Sequence, residues 1–321
     1  MAVRDLELVS PLPRPDGVDE ERPPLDGPLQ LGITSLVIVA PLVAVVIAMT
    51  GLLGVSAGWV DIGLLVVGYG VTVLGVTAGY HRLFTHRSFV ARRPLKIALA
   101  VLGSCAVQGS LFAWVTAHRR HHRYSDRPGD PHSPISPSPR SQWGGLLHAH
   151  VGWLFRAPMP ARRRDAADLL LDRDLRIVSG MFPVFTVLTL AIPFLAGWAV
   201  VGTLRGAVTA LIWGGLVRIF LSHHVTWSIN SVCHAFGKRP FHTTDRSRNV
   251  AALSLLSLGE SWHNAHHAYP SLARHGVDRG QLDLTAACIR VWERLGLVHS
   301  VQWPAAEQLA RRRMPLPRGA A

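Results

Sequence analysis

The sequence is poor in cysteine, poorer in lysine and short of acidic residues. Its 321 residues include three cysteines, Cys105, Cys233 and Cys288. They are scattered and form no C-x-x-C, which excludes a disulfide framework, a zinc ribbon and a thioredoxin-like redox pair. Three thiols are also too few to hold an iron–sulfur cluster. Lys96 and Lys238 are the only lysines among 33 basic residues, and with 20 acidic residues the formal charge is +13. The arginines flank apolar runs and do not interleave with aromatics on a polar stretch. That excludes a nucleic-acid surface and suits the positive-inside pattern of a membrane protein. No G-x-G-x-x-G opens a helix after a strand, so no dinucleotide fold is indicated. No repeat of fixed period is found. Residues 1–29 carry many prolines, seven acidic and three basic residues and no apolar run. They lack the order of a signal peptide and read as a disordered cytoplasmic tail.

What is abundant is apolar surface and histidine. Hydrophobic residues make up 49% of the chain, too many for an ordinary soluble domain of this length. A bilayer core needs about 20 apolar helical residues. Four segments qualify, at about 31–55, 60–78, 181–201 and 207–229, within a single domain over residues 30–321. Pro41 bends the first without excluding it. The short turn after the first span holds no Lys or Arg, and the turn after the third holds only Arg205. Residues 82–180 and 235–321 are rich in Arg, so both termini and both polar regions are expected in the cytoplasm, with the chain in the cell membrane. A fifth apolar run, 97–115, is long enough to span but contains Gly103, Ser104, Gln108, Gly109 and Ser110. Arg218 lies inside the fourth span, where a charge marks a functional or structural partner.

Seventeen histidines demand a reason. Eight fall in three short motifs: His81 and His86 as H-x4-H, then His118, His121, His122 and His263, His266, His267, each as H-x2-H-H. On a helix, positions i, i+3 and i+4 share a face, so each H-x2-H-H aims three imidazoles at one point. A pair at i, i+5 diverges more, and the second reaches in only if the helix ends there. Imidazole suits iron, zinc, copper and nickel, and eight exceed the need of one metal. His234 and Asn230, at i and i+4, add a ninth imidazole and an amide. His132, His148, His150, His242, His275 and His299 read as ordinary surface residues. His223 and His224 are candidates to support ligands from behind. Ligands of one site must meet on one side of the membrane. The run 97–115 therefore cannot be a single crossing; it must re-enter or lie buried against the other helices.

These motifs resemble the membrane-bound fatty acyl desaturases of the stearoyl-CoA, delta-9 type. The likeness covers roughly residues 35–300: GYHRLFTHRS at 79–88, HRRHHRYSD at 118–126, DPHSP at 130–134, HVGWL at 150–154, NSVCH at 230–234 and GESWHNAHHAYP at 259–270. The resemblance implies an all-α membrane protein with four spanning helices, a non-spanning apolar helix and a cytoplasmic helical cap. It implies a di-iron site whose ligands are His81, His86, His118, His121, His122, His234, His263, His266 and His267, with Asn230 holding a water. It further implies that Gln108 and Trp114 bend the acyl chain at the metals and that Tyr69 or Leu65 closes the far end of the tunnel. Soluble di-iron carboxylate bundles need paired Glu-x-x-His motifs, and only Glu260–His263 occurs here.

The activity implied is insertion of a cis double bond into a saturated acyl-CoA, with O2 as oxidant. Electrons would come from a separate donor of ferredoxin, cytochrome b5 or flavin reductase type, since none is built in. One departure concerns the headgroup. Animal acyl-CoA enzymes carry an Arg-Asp pair before the second histidine motif, where this chain has Thr116 and Ala117. Arg156 and Arg162–Arg164 would bind CoA phosphates or anionic lipid headgroups. An acyl-lipid desaturase and a hydroxylase of the same fold therefore stay open, and a histidine-rich metal transporter is the remote alternative.

Overall fold

The computed structural model describes residues 27–54, 56–135, 141–156 and 163–315. All but the last three residues of the expected tail lie outside that range, as does Arg162. For Arg163 and Arg164 only the backbone is described. Among the described residues four helices are long and apolar enough to cross a membrane: α1 (Pro28–Thr50), α2 (Trp59–Thr85), α8 (Phe182–Val201) and α9 (Leu204–Ala235). Their outward side chains are bare; Leu36, Val67 and Val187 are each 65% exposed. Such a continuous apolar girdle is tolerated only where lipid covers it.

The spans differ from the expected limits for local reasons. The first stops early because Gly51 turns left-handed at φ +66°. Pro41 is buried inside α1 and the helix continues through it. The second and fourth run several residues further than their apolar stretches. Their polar ends continue as helix because they converge on histidines of other elements instead of meeting lipid.

The apolar run 97–115 does not cross. It is split into α3 (Arg93–Ser104) and α4 (Leu111–Tyr124). Twelve residues of α3 reach only about 18 Å, short of a bilayer core. Between them Val107 and Gly109 take φ of +58° and +101°, and the chain doubles back. α3 lies so close to α2 that a Cβ on Gly75 would sit 2.3 Å from the Gly103 nitrogen and 2.4 Å from the Leu102 carbonyl carbon. The Tyr80 hydroxyl and Ser104 hydroxyl share a buried hydrogen bond of 2.7 Å across the same contact.

The remaining elements form a polar cap: α5 (Gln142–His150), α6 (Arg163–Leu170), α7 (Arg173–Gly180), α10 (His263–Ala268), α11 (Leu284–Arg294) and α12 (Ala306–Ala310). Asp283 caps α11 by accepting from the Ala286 amide at 2.8 Å. A two-strand ribbon pairs β1 (Val90–Ala91) antiparallel with β2 (Val298–His299). A core of Ala78, Phe89, Leu99, Ala273, Ile289 and Val298 ties the cap to α2 and α3.

Candidate metal centre

The first histidine pair is brought onto one face by an unusual winding of α2. From Gly75 to Thr85 the helix makes wide turns. The His86 amide donates to the His81 carbonyl, five residues back, at 3.1 Å. In such a turn positions i and i+5 align, and the two rings lie 4.8 Å apart. The divergence expected of H-x4-H is thereby removed, and wide turns of this kind are often found at functional sites. α4 carries His118, His121 and His122, the six-residue α10 carries the third motif, and the last turn of α9 carries His234.

These nine histidines gather into two groups. His81, His86, His118, His122 and His266 each offer a nitrogen within 4.8 Å of the others, and so do His121, His234, His263 and His267. Within the first group the Nε2 atoms form a chain: His81 to His266 at 3.1 Å, His266 to His122 at 2.9 Å, and His122 to His118 at 3.1 Å. In the second, His234 and His263 meet Nε2 to Nε2 at 3.0 Å.

Four rings are anchored from behind by carboxylates. His121 Nδ1 lies 3.0 Å from both oxygens of Asp130, His234 Nδ1 is 2.9 Å from Asp126, and His267 Nδ1 is 2.7 Å from Asp245. Glu260 takes the Nδ1 of His81 and is itself held by Arg82, whose Nη2 donates at 2.9 Å. Arg82, fully buried, also donates to Asp283 and to the Ala273 carbonyl. The carboxylates are secured in turn. Asp126 accepts from the Arg246 amide at 2.7 Å, and Asp130 from the amides of Asp126 and His132. An Nδ1 that donates to a carboxylate leaves Nε2 as a bare lone pair aimed forward.

Burial holds His86, His118, His122, His263 and His266 well below the usual histidine range, and neighbouring imidazoles add to it. Burial likewise lowers His267, to about 4. Burial also opposes charge on His121, but the Asp130 carboxylate outweighs it and raises that ring. Burial pushes Asp126 and Asp245 up, yet their histidine partners hold both well below the carboxylate range.

Neutral imidazoles cannot satisfy this arrangement by themselves. His266 Nε2 faces two other Nε2 atoms, though one nitrogen offers a single proton or a single lone pair. His86 Nε2 is buried with no hydrogen-bond partner among the described residues. Cis nitrogens bound at about 2.1 Å to one cation sit about 3 Å apart, which is the spacing found. The donor set therefore fits two cations, one per group.

An apolar cavity runs up to both groups. Val73, Val76, Trp114, Val225 and Ile229 line it, and it ends on His81, His118, His263, Glu260 and Asn230. Trp114 stacks on His118 at 4.9 Å and donates its Nε1 to the Gln108 side-chain oxygen at 3.3 Å. Gln108 donates to the Thr226 hydroxyl, another lining group, at 2.9 Å. Tyr69 and Leu65 sit one and two turns before Val73 on α2, outside the lining. Tyr69 donates to the Leu256 carbonyl at 2.6 Å, and Leu65 packs with Ala44, Ile212 and Val217. Arg156 is half-buried, directly after the single turn Gly152–Phe155.

Two histidines expected at the surface are not there. His275 is buried with its ring 4.4 Å from His266 and its Nδ1 3.5 Å from Glu260. His132 is buried 4.4 Å from the His121 ring. Both lie in irregular chain, where no periodicity reports burial. His242 and His299 are exposed as expected. His223 and His224 do not back the clustered rings: His223 contacts the Ala106 carbonyl at 3.1 Å, and His224 pairs with His150. The four carboxylates escaped the sequence reading. Their signal was proximity, since Asp126 and Asp130 follow the second motif closely and Glu260 stands three residues before His263.

Four helices able to span a membrane, capped by a buried double cluster of imidazoles, define a membrane protein with a centre suited to holding metal. Comparison with known proteins agrees. The fatty acid desaturase family model matches residues 55–290. The chain is 39% identical over 259 residues to hex-5-enoyl-[acyl-carrier protein] acetylenase of Moorena producens (strain JHB), covering 79% of this chain and 81% of that one. It is 36% identical over 264 residues to delta-9 acyl-lipid desaturase 1 of Arabidopsis thaliana, covering 81% and 80%. It is 36% identical over 246 residues to acyl-CoA C20 Delta5-desaturase of Anemone leveillei, covering 75% and 73%. The chain belongs to the fatty acid desaturase family and is an oxidoreductase acting on fatty acids.

Proposed function

We propose that this enzyme is a di-iron, O2-dependent desaturase that places a cis double bond at the delta-9 position of a saturated acyl-CoA. The observation that carries the reading is the apolar cavity that ends between the two histidine groups. One iron would be held by His81, His86, His118, His122 and His266. The other would be held by His121, His234, His263 and His267, with a water on Asn230. Bound iron supplies the redox chemistry by which O2, two electrons and two protons take one hydrogen from each of two adjacent methylenes, leaving CH=CH and two waters.

The chain's own residues place the substrate. Val73, Val76, Val225 and Ile229 exclude water from the methylenes. Trp114, fixed by Gln108 and stacked on His118, turns the chain at the metals. Tyr69 or Leu65 closes the tunnel beyond. Arg156 holds the acidic headgroup. The Arg-rich polar regions face the cytoplasm, where a separate redox protein delivers electrons. Carboxylates on Nδ1 of His81, His121, His234 and His267 fix those rings, whose Nε2 atoms would face the metals.

An acyl-lipid substrate is the second reading. It is favoured by Thr116 and Ala117, which supply no charge where the resemblance expects an Arg-Asp pair. The Thr116 hydroxyl is buried with no hydrogen-bond partner among the described residues. The test is to express the wild-type chain and His121→Ala in one host and compare the fatty acids of CoA and lipid pools by mass spectrometry. A new delta-9 double bond in the acyl-CoA pool, absent with the variant, is the expected result. A new hydroxyl, a triple bond, or no product that depends on His121 overturns it.

A further inference from the structure

The fourth span carries an arginine that the metal centre does not use. Arg218 is 1% exposed, in the middle of α9, and none of its hydrogen-bond partners is a carboxylate. Its Nε donates to the Gly214 carbonyl at 3.0 Å, one Nη to the Thr72 hydroxyl of α2 at 3.2 Å, and the other to the Thr189 hydroxyl of α8 at 2.8 Å. Thr189 in turn donates to the Cys105 carbonyl at 2.9 Å, and Arg218 donates to that carbonyl as well, at 3.4 Å. One turn further along α9, His223 contacts the next carbonyl, that of Ala106, at 3.1 Å. A charge in lipid is costly and persists where it does work.

Three of these contacts, from Thr189 and Arg218 to the Cys105 carbonyl and from His223 to the Ala106 carbonyl, converge on the turn between α3 and α4. That turn is strained, with the β-branched Val107 in the left-handed region. It also carries Gln108, whose side chain bonds both Thr226 and Trp114 on the cavity wall. A displaced turn would move Gln108, then Trp114, then the wall beside His118. We propose that Arg218, with His223, is a positioning device: it holds this turn so that one pair of methylenes, and not its neighbours, lies against the metals. The inference rests on the desaturase reading above.

Displacements of about 1 Å at a reacting centre cost up to about a hundredfold in rate. Arg218→Met should therefore lower kcat about ten- to a hundredfold and spread the double bond over neighbouring carbons, while metal per chain stays at the wild-type level. Arg218→Lys, which keeps the charge but reaches fewer acceptors, should fall between. His223→Leu removes the Ala106 contact while leaving Arg218 in place and should also broaden the product. The assay uses the full chain in host membranes, with palmitoyl- and stearoyl-CoA added and double bonds located by mass spectrometry. A single, wild-type position in Arg218→Met overturns the proposal, whether or not its rate falls. If Arg218→Met does not reach the membrane, His223→Leu decides: a broadened product supports the proposal and a single position overturns it. Failure of the wild type to form any double bond would instead refute the desaturase reading.

Discussion

The two histidine groups reach the same end by different means. One has five imidazoles and a single supporting carboxylate, Glu260 behind His81. The other has four imidazoles and three carboxylates, Asp130, Asp126 and Asp245. A carboxylate on Nδ1 fixes the ring and strengthens the electron donation of its Nε2. If each group held one cation, the smaller would offset its missing imidazole with this anionic support and leave a free position for a water on Asn230, which lines the apolar cavity together with His263.

The sharpest way to break this comparison is to remove one ligand from each group. His266→Ala and His263→Ala should each abolish desaturation and each lose one of two metals, measured by elemental analysis of purified protein. Loss of both metals from either variant would show one interdependent site instead of two. A smaller effect is expected from the supporting groups. Asp245→Asn should weaken metal retention by about 10–100-fold, the range typical of such partners. Glu260→Gln should weaken it less, because four other imidazoles remain in its group. Metal per chain against graded chelator reads both, and equal losses would remove the distinction drawn here. The smallest effect concerns the free position. Asn230→Ala should keep both metals and lower kcat by about tenfold, the low end of that range. An unchanged kcat would detach Asn230 from the centre.

Much of this was legible from residue spacing. The two H-x2-H-H motifs needed only helical periodicity, and the four spans needed only length and apolar content. The refusal of residues 97–115 to cross followed from the need for His86 and His118 to meet. The grouping was not legible. His81 joins His266 in one group while His263, three residues earlier, joins His121 and His267 in the other; on a helix His263 and His267 lie only about 40° apart, whereas His266 lies about 100° from His267. The winding that aligns His81 with His86 was hidden as well, since an ordinary helix at that spacing points the two apart. The supporting carboxylates and His275 lie in loops or at element ends, where tertiary contacts, not local pattern, decide what a side chain meets. The desolvated Arg218 was visible as an anomaly, but its partners on α2 and α8 and in the α3–α4 turn were not.

The contact between α2 and α3 has one consequence for how this chain can change. On an open helix face, glycine to alanine is the mildest of substitutions and usually gains stability by restraining the unfolded chain. At Gly75 the added methyl would stand 2.3 Å from the backbone nitrogen of Gly103, an atom that no side-chain rotation can move aside. One of the two helices would have to shift. Since α2 carries His81 and α3 leads into the turn that holds Gln108, the smallest side chain in the repertoire would be felt by the metal ligands and the substrate wall together. The separation of those two parts is therefore set by a hydrogen atom.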